Sequence, residues 1–205
     1  MPNPAPIHAH LFGDASATMP EVFHRHYANR PGRNDTVVAR GRMDIWQNPL
    51  MGPFAFFFRW TKTLIPLSAN GVETTVVFRT KQGSPAFWYD RQCVLADGAR
   101  VSFVSRVEPD DDGAFVEWTG AGIGWRCRFS FDAGRVHLAH RGYMLRIGNM
   151  TLRAPLGWLV GRPAASESAL NDTDFEMEMT IRHPLFGKLY AYSGEFRIAE
   201  VLLDG

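Results

Sequence analysis

The chain has 205 residues, with 22 basic residues against 21 acidic ones and a formal net charge of +1, so it carries no overall field to draw nucleic acid or an anionic membrane as a primary partner. Such a length can bury roughly 70% of the unfolded surface in one core, and residues 1–205 read as a single domain with a flexible lead at 1–9. Phenylalanine alone occurs 15 times, which suits a broad sheet face over a large apolar interior.

The lead alternates prolines up to Pro6 and lacks a basic start followed by an apolar run, so no secretory signal is expected and a cytoplasmic address is the default. A first helix is predicted over residues 16–29, capped by Ser16 or Thr18, with Pro20 and Glu21 in its first turn and Met19, Val22, Phe23, His26 and Tyr27 at three-and-four spacing. Pro31 and Gly32 end it. Residues 36–47 then alternate as a strand, with Val37, Ala39, Gly41, Met43 and Ile45 on one face.

The densest apolar block lies at residues 49–66, opened by Asn48 as cap and closed by Pro66. As a helix it would span only about 20 Å, short of the roughly 30 Å hydrocarbon core of a bilayer, and Arg59 and Lys62 interrupt it, so no transmembrane segment is expected. It reads as a helix packed against or inside a curved sheet, buried on its Phe54, Phe57, Phe58 and Ile65 side. A buried strand and an interfacial membrane helix are the alternatives.

A run of strands comes next at the spacing of an antiparallel meander. Val72, Val76 and Phe78 oppose Glu73, Thr75 and Arg79, and turn signals recur at 82–85, 96–98, 109–113 and 133–134. The glycine-rich stretch at 120–124 opens a strand and not a helix, so it is a turn or bulge and not a phosphate loop. Residues 155–168 form the longest irregular region and are read as a lid or crossing loop. Phe175, Met177, Met179 and Ile181 then alternate cleanly with acidic and basic residues, and a last strand runs over 188–198. The fold expected is mainly β: an antiparallel meander of about nine or ten strands curled into a barrel or strongly bent sheet, with a short N-terminal helix and the apolar helix against or inside it. A START-like helix-grip α+β fold is the alternative, but the long final helix it needs is missing.

Leu11-Phe12-Gly13 stands ahead of Met19-Pro20, Trp88 occurs with Arg91, Gly124-Trp125 opens a Phe-rich strand, and Phe175-Glu176-Met177-Glu178 comes before Pro184-Leu185-Phe186-Gly187-Lys188-Leu189 and Tyr192-Ser193-Gly194. In this order these features resemble a bacterial family known as domain of unknown function 4166. The resemblance runs from about residue 11 to about residue 197. Similar domains occur alone or behind an oxidoreductase module resembling saccharopine dehydrogenase, which implies an oxidoreductase partner. No dinucleotide fingerprint is present here, so that activity does not carry over.

Chemistry has few anchors. His24 and His26 point about 200° apart on a helix, His137 and His140 fall on opposite faces of a strand, and no metal or other cofactor is expected. There is no Gly-x-Ser-x-Gly elbow, and Cys93 and Cys127 are expected as free buried thiols. Glu176 and Glu178 belong to a solvated face. What stands out is polar groups on apolar faces: Arg91 shares parity with Phe87, Tyr89 and Cys93, Glu117 with Phe115, and His140 with Val136, Leu138 and Met144. If these faces point inward, Arg91, Tyr89, Glu117, Trp125, His140 and Phe57 line a ligand cavity. Bulges that change the parity, or a structural Arg91–Glu117 pair, would account for the same pattern. The function expected is non-catalytic binding of a hydrophobic or amphipathic small molecule with an anionic head held by Arg91. An accessory domain for an oxidoreductase and an acid-base enzyme using cavity residues are the alternatives.

Overall fold

The structure, a computed structural model, describes residues 4–54, 56, 58, 63–65 and 67–205, except the side chain of Phe54. Among the described residues eleven strands make one antiparallel sheet: β1 (Thr36–Gln47), β2 (Ala69–Thr80), β3 (Phe87–Val94), β4 (Arg100–Pro109), β5 (Phe115–Trp118), β6 (Ile123–Asp132), β7 (Arg135–Ile147), β8 (Met150–Ala154), β9 (Arg162–Ala169), β10 (Asp174–His183) and β11 (Gly187–Leu202). Chain neighbours pair except β8 with β9, β11 returns to β1, and β9 joins β7, so ten strands close a barrel. The eleventh, β8, pairs only with the far half of β7, over Tyr143 to Ile147, and stands outside the ring. Closure leaves few free edges, which is why so long a meander curls instead of staying flat.

Alternation decides which side chains enter the barrel. Val37, Ala39, Met43 and Ile45 of β1 are buried, as are Phe175, Met179 and Ile181 of β10. The bulk of the core is therefore the inner face of a single sheet. Gly41 does not open space as a small inward residue, because a Cβ there would run into the Glu195 carbonyl and the Phe196 ring. It permits close approach of β11 instead, and Phe196 fills the room.

Four expectations change. Residues 7–9 are not part of a flexible lead: Ile7–Phe12 form helix α1, Ile7 is buried, and its amide donates to Asn29 O at 2.7 Å. The helix expected over 16–29 is split into a 3₁₀ stretch, Gly13–Thr18, and α2, Glu21–His26. Pro20 forces the residue before it out of helical geometry, and Met19 is extended with ψ 145°. The irregular region at 155–168 contains a one-turn helix, Gly157–Val160, and strand β9. Its inward residues, Pro163, Ala165, Glu167 and Ala169, are small, proline or charged, so β9 shows no apolar alternation to read. Finally, a bulge sets Arg126 against Gly142 but Cys127 against His140. That extra residue shifts the phase of β7, so Tyr143, not Met144, is the buried neighbour of His140.

The two ends differ. At one, α1 and α2 plug the barrel, with Phe23 wholly buried and its ring 6.3 Å from that of Phe131 and 6.5 Å from that of Phe175. Beside them Arg30 donates from Nε and Nη2 to the buried Asp35 carboxylate at 2.8 and 2.9 Å, and the Asp204 amide donates to Asp35 at 2.7 Å. At the other end lie the β1–β2 connection and the Gly157–Val160 turn. Asn48 does open the first of these, its Oδ1 accepting from the Leu50 amide at 3.0 Å, but the residues it opens onto, Pro49–Phe54, form a 3₁₀ helix. Met51 and Ile65 are buried there, Phe58 is half-buried and Phe56 is 81% exposed. Phe57, Arg59, Lys62 and Pro66 lie outside the described residues.

Candidate functional site

Between the plug and the opposite end the barrel holds a cavity of about 230 Å³. Its walls are apolar and rich in adaptable side chains, among them Met43, Met51, Met177 and Met179. Among the described residues, the charged groups in the lining are Arg91 and Glu117. A smaller void of about 40 Å³ lies toward the plug, and Arg91, Glu117, Trp125 and Tyr192 border both spaces.

Register explains how these groups meet. Arg91 on β3 sits opposite Phe103 of β4, which places Ser105 two residues along the same inner face. Glu117 on β5 stands opposite Val107 of β4 and Trp125 of β6, so it leans diagonally toward Ser105. Arg91 donates from Nη1 to Ser105 Oγ at 2.9 Å and from Nη2 to Glu117 Oε1 at 3.1 Å, and the Ser105 hydroxyl donates to the same oxygen at 2.5 Å. The guanidinium also lies 4.9 Å from the centre of the Tyr89 ring and 5.0 Å from that of Phe103. Burial disfavours the charge of Arg91, but Glu117 and the phenols of Tyr192 and Tyr89 more than offset this and hold its pKa above the usual arginine value. Burial is also the main reason the Tyr192 phenol is pushed up to about 12, against the opposing pull of Arg91.

Trp125 Nε1 donates to His140 Nδ1 at 3.1 Å. Burial first, and then the charge of Arg162, lower the pKa of His140, so its ring is a neutral acceptor. It supports Trp125 from the side and is not among the residues that face the cavity.

A second polar group borders the small void. Tyr27 donates to Glu167 Oε2 at 2.7 Å, and His26 Nε2 stands 3.7 Å from Glu167 Oε1. Burial first, then the Glu167 charge, raise the Tyr27 pKa well above normal, so the phenol stays a donor. Both cysteines are free and buried, and desolvation raises both thiol pKa values, which makes them poor nucleophiles. Among the described residues no group of three or more His, Cys, Asp or Glu is placed to hold a metal ion.

The family's sequence profile, described as a domain of unknown function, matches residues 19–196. The chain belongs to the DUF4166 family. No curated protein matches this DUF4166 chain. Among solved structures it is similar to Rv2717c from M. tuberculosis, with 14% identity over 92% of this chain and 99% of that one and a TM-score of 0.43.

Of the residues singled out from the sequence, the DUF4166 barrel brings Arg91, Glu117 and Trp125 to the cavity wall, with Tyr89 beside the Arg91 guanidinium on the side of the small void. His140 reaches the group only through Trp125, and Phe57 lies outside the described residues. Arg91 and Glu117 are bonded to each other, so the arginine is not a bare anchor. Sequence reasoning missed Ser105, Tyr192, Tyr27 and Glu167. Ser105 shares parity with Phe103 and Val107, a usable signal, whereas Glu167 lay in a stretch without strand periodicity.

Proposed function

We propose that this barrel is a non-catalytic binder of a small lipid-like molecule, whose apolar body fills the cavity and whose polar head meets the Arg91–Ser105–Glu117 cluster. The observation that carries the reading is an apolar cavity whose wall, among the described residues, holds one charged, internally bonded pair, the usual composition of a small-molecule site. Its volume exceeds the roughly 150 Å³ of an apolar cavity that takes up benzene and falls short of the roughly 300 Å³ where drug-sized sites begin, so the ligand is one ring or one chain of medium length.

The pairing refines the head group. An anionic head held by Arg91 would have to share that arginine with Glu117, placing two negative groups on one cation in a dry site. A neutral head such as a hydroxyl can accept from the guanidinium and donate to the carboxylate without disturbing the charge balance. Titration calorimetry with a medium-chain fatty alcohol and the fatty acid of equal length tests this. Tighter binding of the alcohol is expected. Tighter binding of the acid restores an anionic head group, and no heat with either, together with no small mass carried through native mass spectrometry, removes the ligand reading.

A further inference from the structure

We propose that the protein docks on an anionic membrane surface with the cavity end of the barrel facing the lipid. This goes beyond the ligand reading and stands without it. Leu50 and Phe56 of the β1–β2 connection, Trp158 and Leu159 of the one-turn helix, and Leu185 and Phe186 of the β10–β11 turn are all exposed at this end. Ile147, Met150 and Leu152 add the β7–β8 hairpin. Away from this end, among the described residues, the large exposed apolar side chains are Val104, Leu170, Leu202 and Leu203. The tips are tied together and not loosely hung. His183, itself buried, bonds to the Trp158 carbonyl from Nε2 at 2.7 Å, accepts at Nδ1 from the amides of Leu185 and Phe186, and stacks on the Phe186 ring. Leu159 is 71% exposed yet lines the cavity, so the apolar surface runs from the outside into the barrel.

Charge chooses the partner. The connections at this end, residues 48–68, 95–99, 119–122, 148–149, 155–161 and 184–186, contain a single carboxylate, Asp97. Those at the plugged end carry Asp35, Asp110, Asp111, Asp112, Asp172 and Asp204. Just behind the apolar tips stand four exposed bases at strand ends: Arg100 opens β4, Arg162 opens β9, Arg182 is next to last in β10, and Lys188 is second in β11. Among the described residues none of the four pairs with a carboxylate. Lys188 instead lies over the Trp46 ring, its Nζ 4.4 Å from the ring centre. Apolar tips in front and a basic collar behind match the acyl boundary and the phosphate level of a bilayer in that order. A protein partner would meet a face split across several loop tips around a cavity mouth, which a soft surface fits better than a rigid one.

The test is co-sedimentation of the full chain with vesicles of phosphatidylcholine, with and without one quarter phosphatidylserine. Binding to the anionic vesicles is expected, weakening as salt is added, with Trp158 fluorescence moving to shorter wavelength. Trp158→Ser with Leu159→Ser should lower the partition on the order of tenfold, and Arg182→Glu with Lys188→Glu roughly twentyfold or more. All four sites are exposed, and an unchanged circular dichroism spectrum checks each variant's fold. No binding to anionic vesicles at low salt overturns the proposal, as does equal binding to both vesicle types. A dimer dissolved by the Trp158→Ser, Leu159→Ser change, without vesicle binding, assigns the rim to a second copy of the chain. Fatty-alcohol binding is measured without vesicles in the Arg182→Glu, Lys188→Glu variant, whose two sites do not line the cavity, so loss of docking and loss of the ligand site are read apart.

Discussion

The two ends of the barrel are built from the same repeating strands and reach opposite solutions. At the plugged end, short helices drop Phe23 and Phe12 onto Phe131, Phe175 and Phe129, and the Arg30–Asp35–Asp204 clasp satisfies the chain reversal beside them. At the cavity end, two connections rich in apolar residues cover the barrel without filling it, and several of their side chains remain in water. Filling is a matter of which side chains the capping segments aim inward. Aromatics aimed inward make a core, and aromatics left at the rim make a mouth and a surface.

Breaking the plugged end should have the largest effect. Phe23→Ala removes a fully buried ring from an aromatic cluster and is expected to cost about 3–5 kcal/mol in chemical unfolding. Truncation at the cavity end, Leu159→Ala, should change stability by less than about 0.5 kcal/mol in the same experiment, since the side chain is mostly exposed. Equal costs at the two sites would erase the distinction between plug and mouth.

Next in size is the polar cluster. Arg91→Met alone leaves Glu117 buried without its cation, so it should destabilise the fold as well as weaken a hydroxyl-bearing ligand. Arg91→Met with Glu117→Gln removes both charges and should largely recover the stability. Ligand affinity in that pair should stay lower by about 1.5–3 kcal/mol, the worth of a hydrogen bond to a charged group. Calorimetry that finds affinity unchanged in the double variant would move the head group away from Arg91.

The smallest effect is in mild acid and samples both ends. Burial lowers the pKa of His8 near the plug and of His140 near the mouth, His8 also feeling His24 and His140 also feeling Arg162. A base whose folded pKa lies below its unfolded value binds fewer protons when folded, so stability is full above the unfolded value of roughly 6.5 and declines as pH falls below it. His140→Gln can still accept from Trp125 and should flatten part of that decline between pH 7 and 5.5, read as the thermal midpoint. Asp174 acts lower on the scale. Its bonds from Arg197 and Asn171 hold its pKa to about 2, so its contribution persists above the ordinary carboxylate range and is lost as pH falls toward 2.

Much of the wall is legible from alternation. Its strict form in residues 36–47 and 175–182 fixes the inward face of β1 and β10, and parity alone puts Arg91, Tyr89 and Glu117 among inward apolar neighbours. The hidden parts lie wherever alternation fails. β9 points Pro163, Ala165 and Glu167 inward, so a buried carboxylate looks like part of a loop. Helix α1 is too short and too close to a proline-rich start to show a period, yet it is held by tertiary packing and by the hydrogen bond that the Ile7 amide donates to the Asn29 carbonyl.

An antiparallel β chain with inward aromatics and two buried thiols is written in local period and spacing. Closure of the ring through β11–β1 and β9–β7, the pairing of Arg91 with Glu117 and Ser105, and the apolar, almost carboxylate-free connections at one end arise only when distant strands meet. A net charge of +1 sums over the whole chain and is blind to where charges stand. Closing the barrel sorts alternate connections to opposite ends, and that sorting, absent from any linear reading, gives the molecule its polarity.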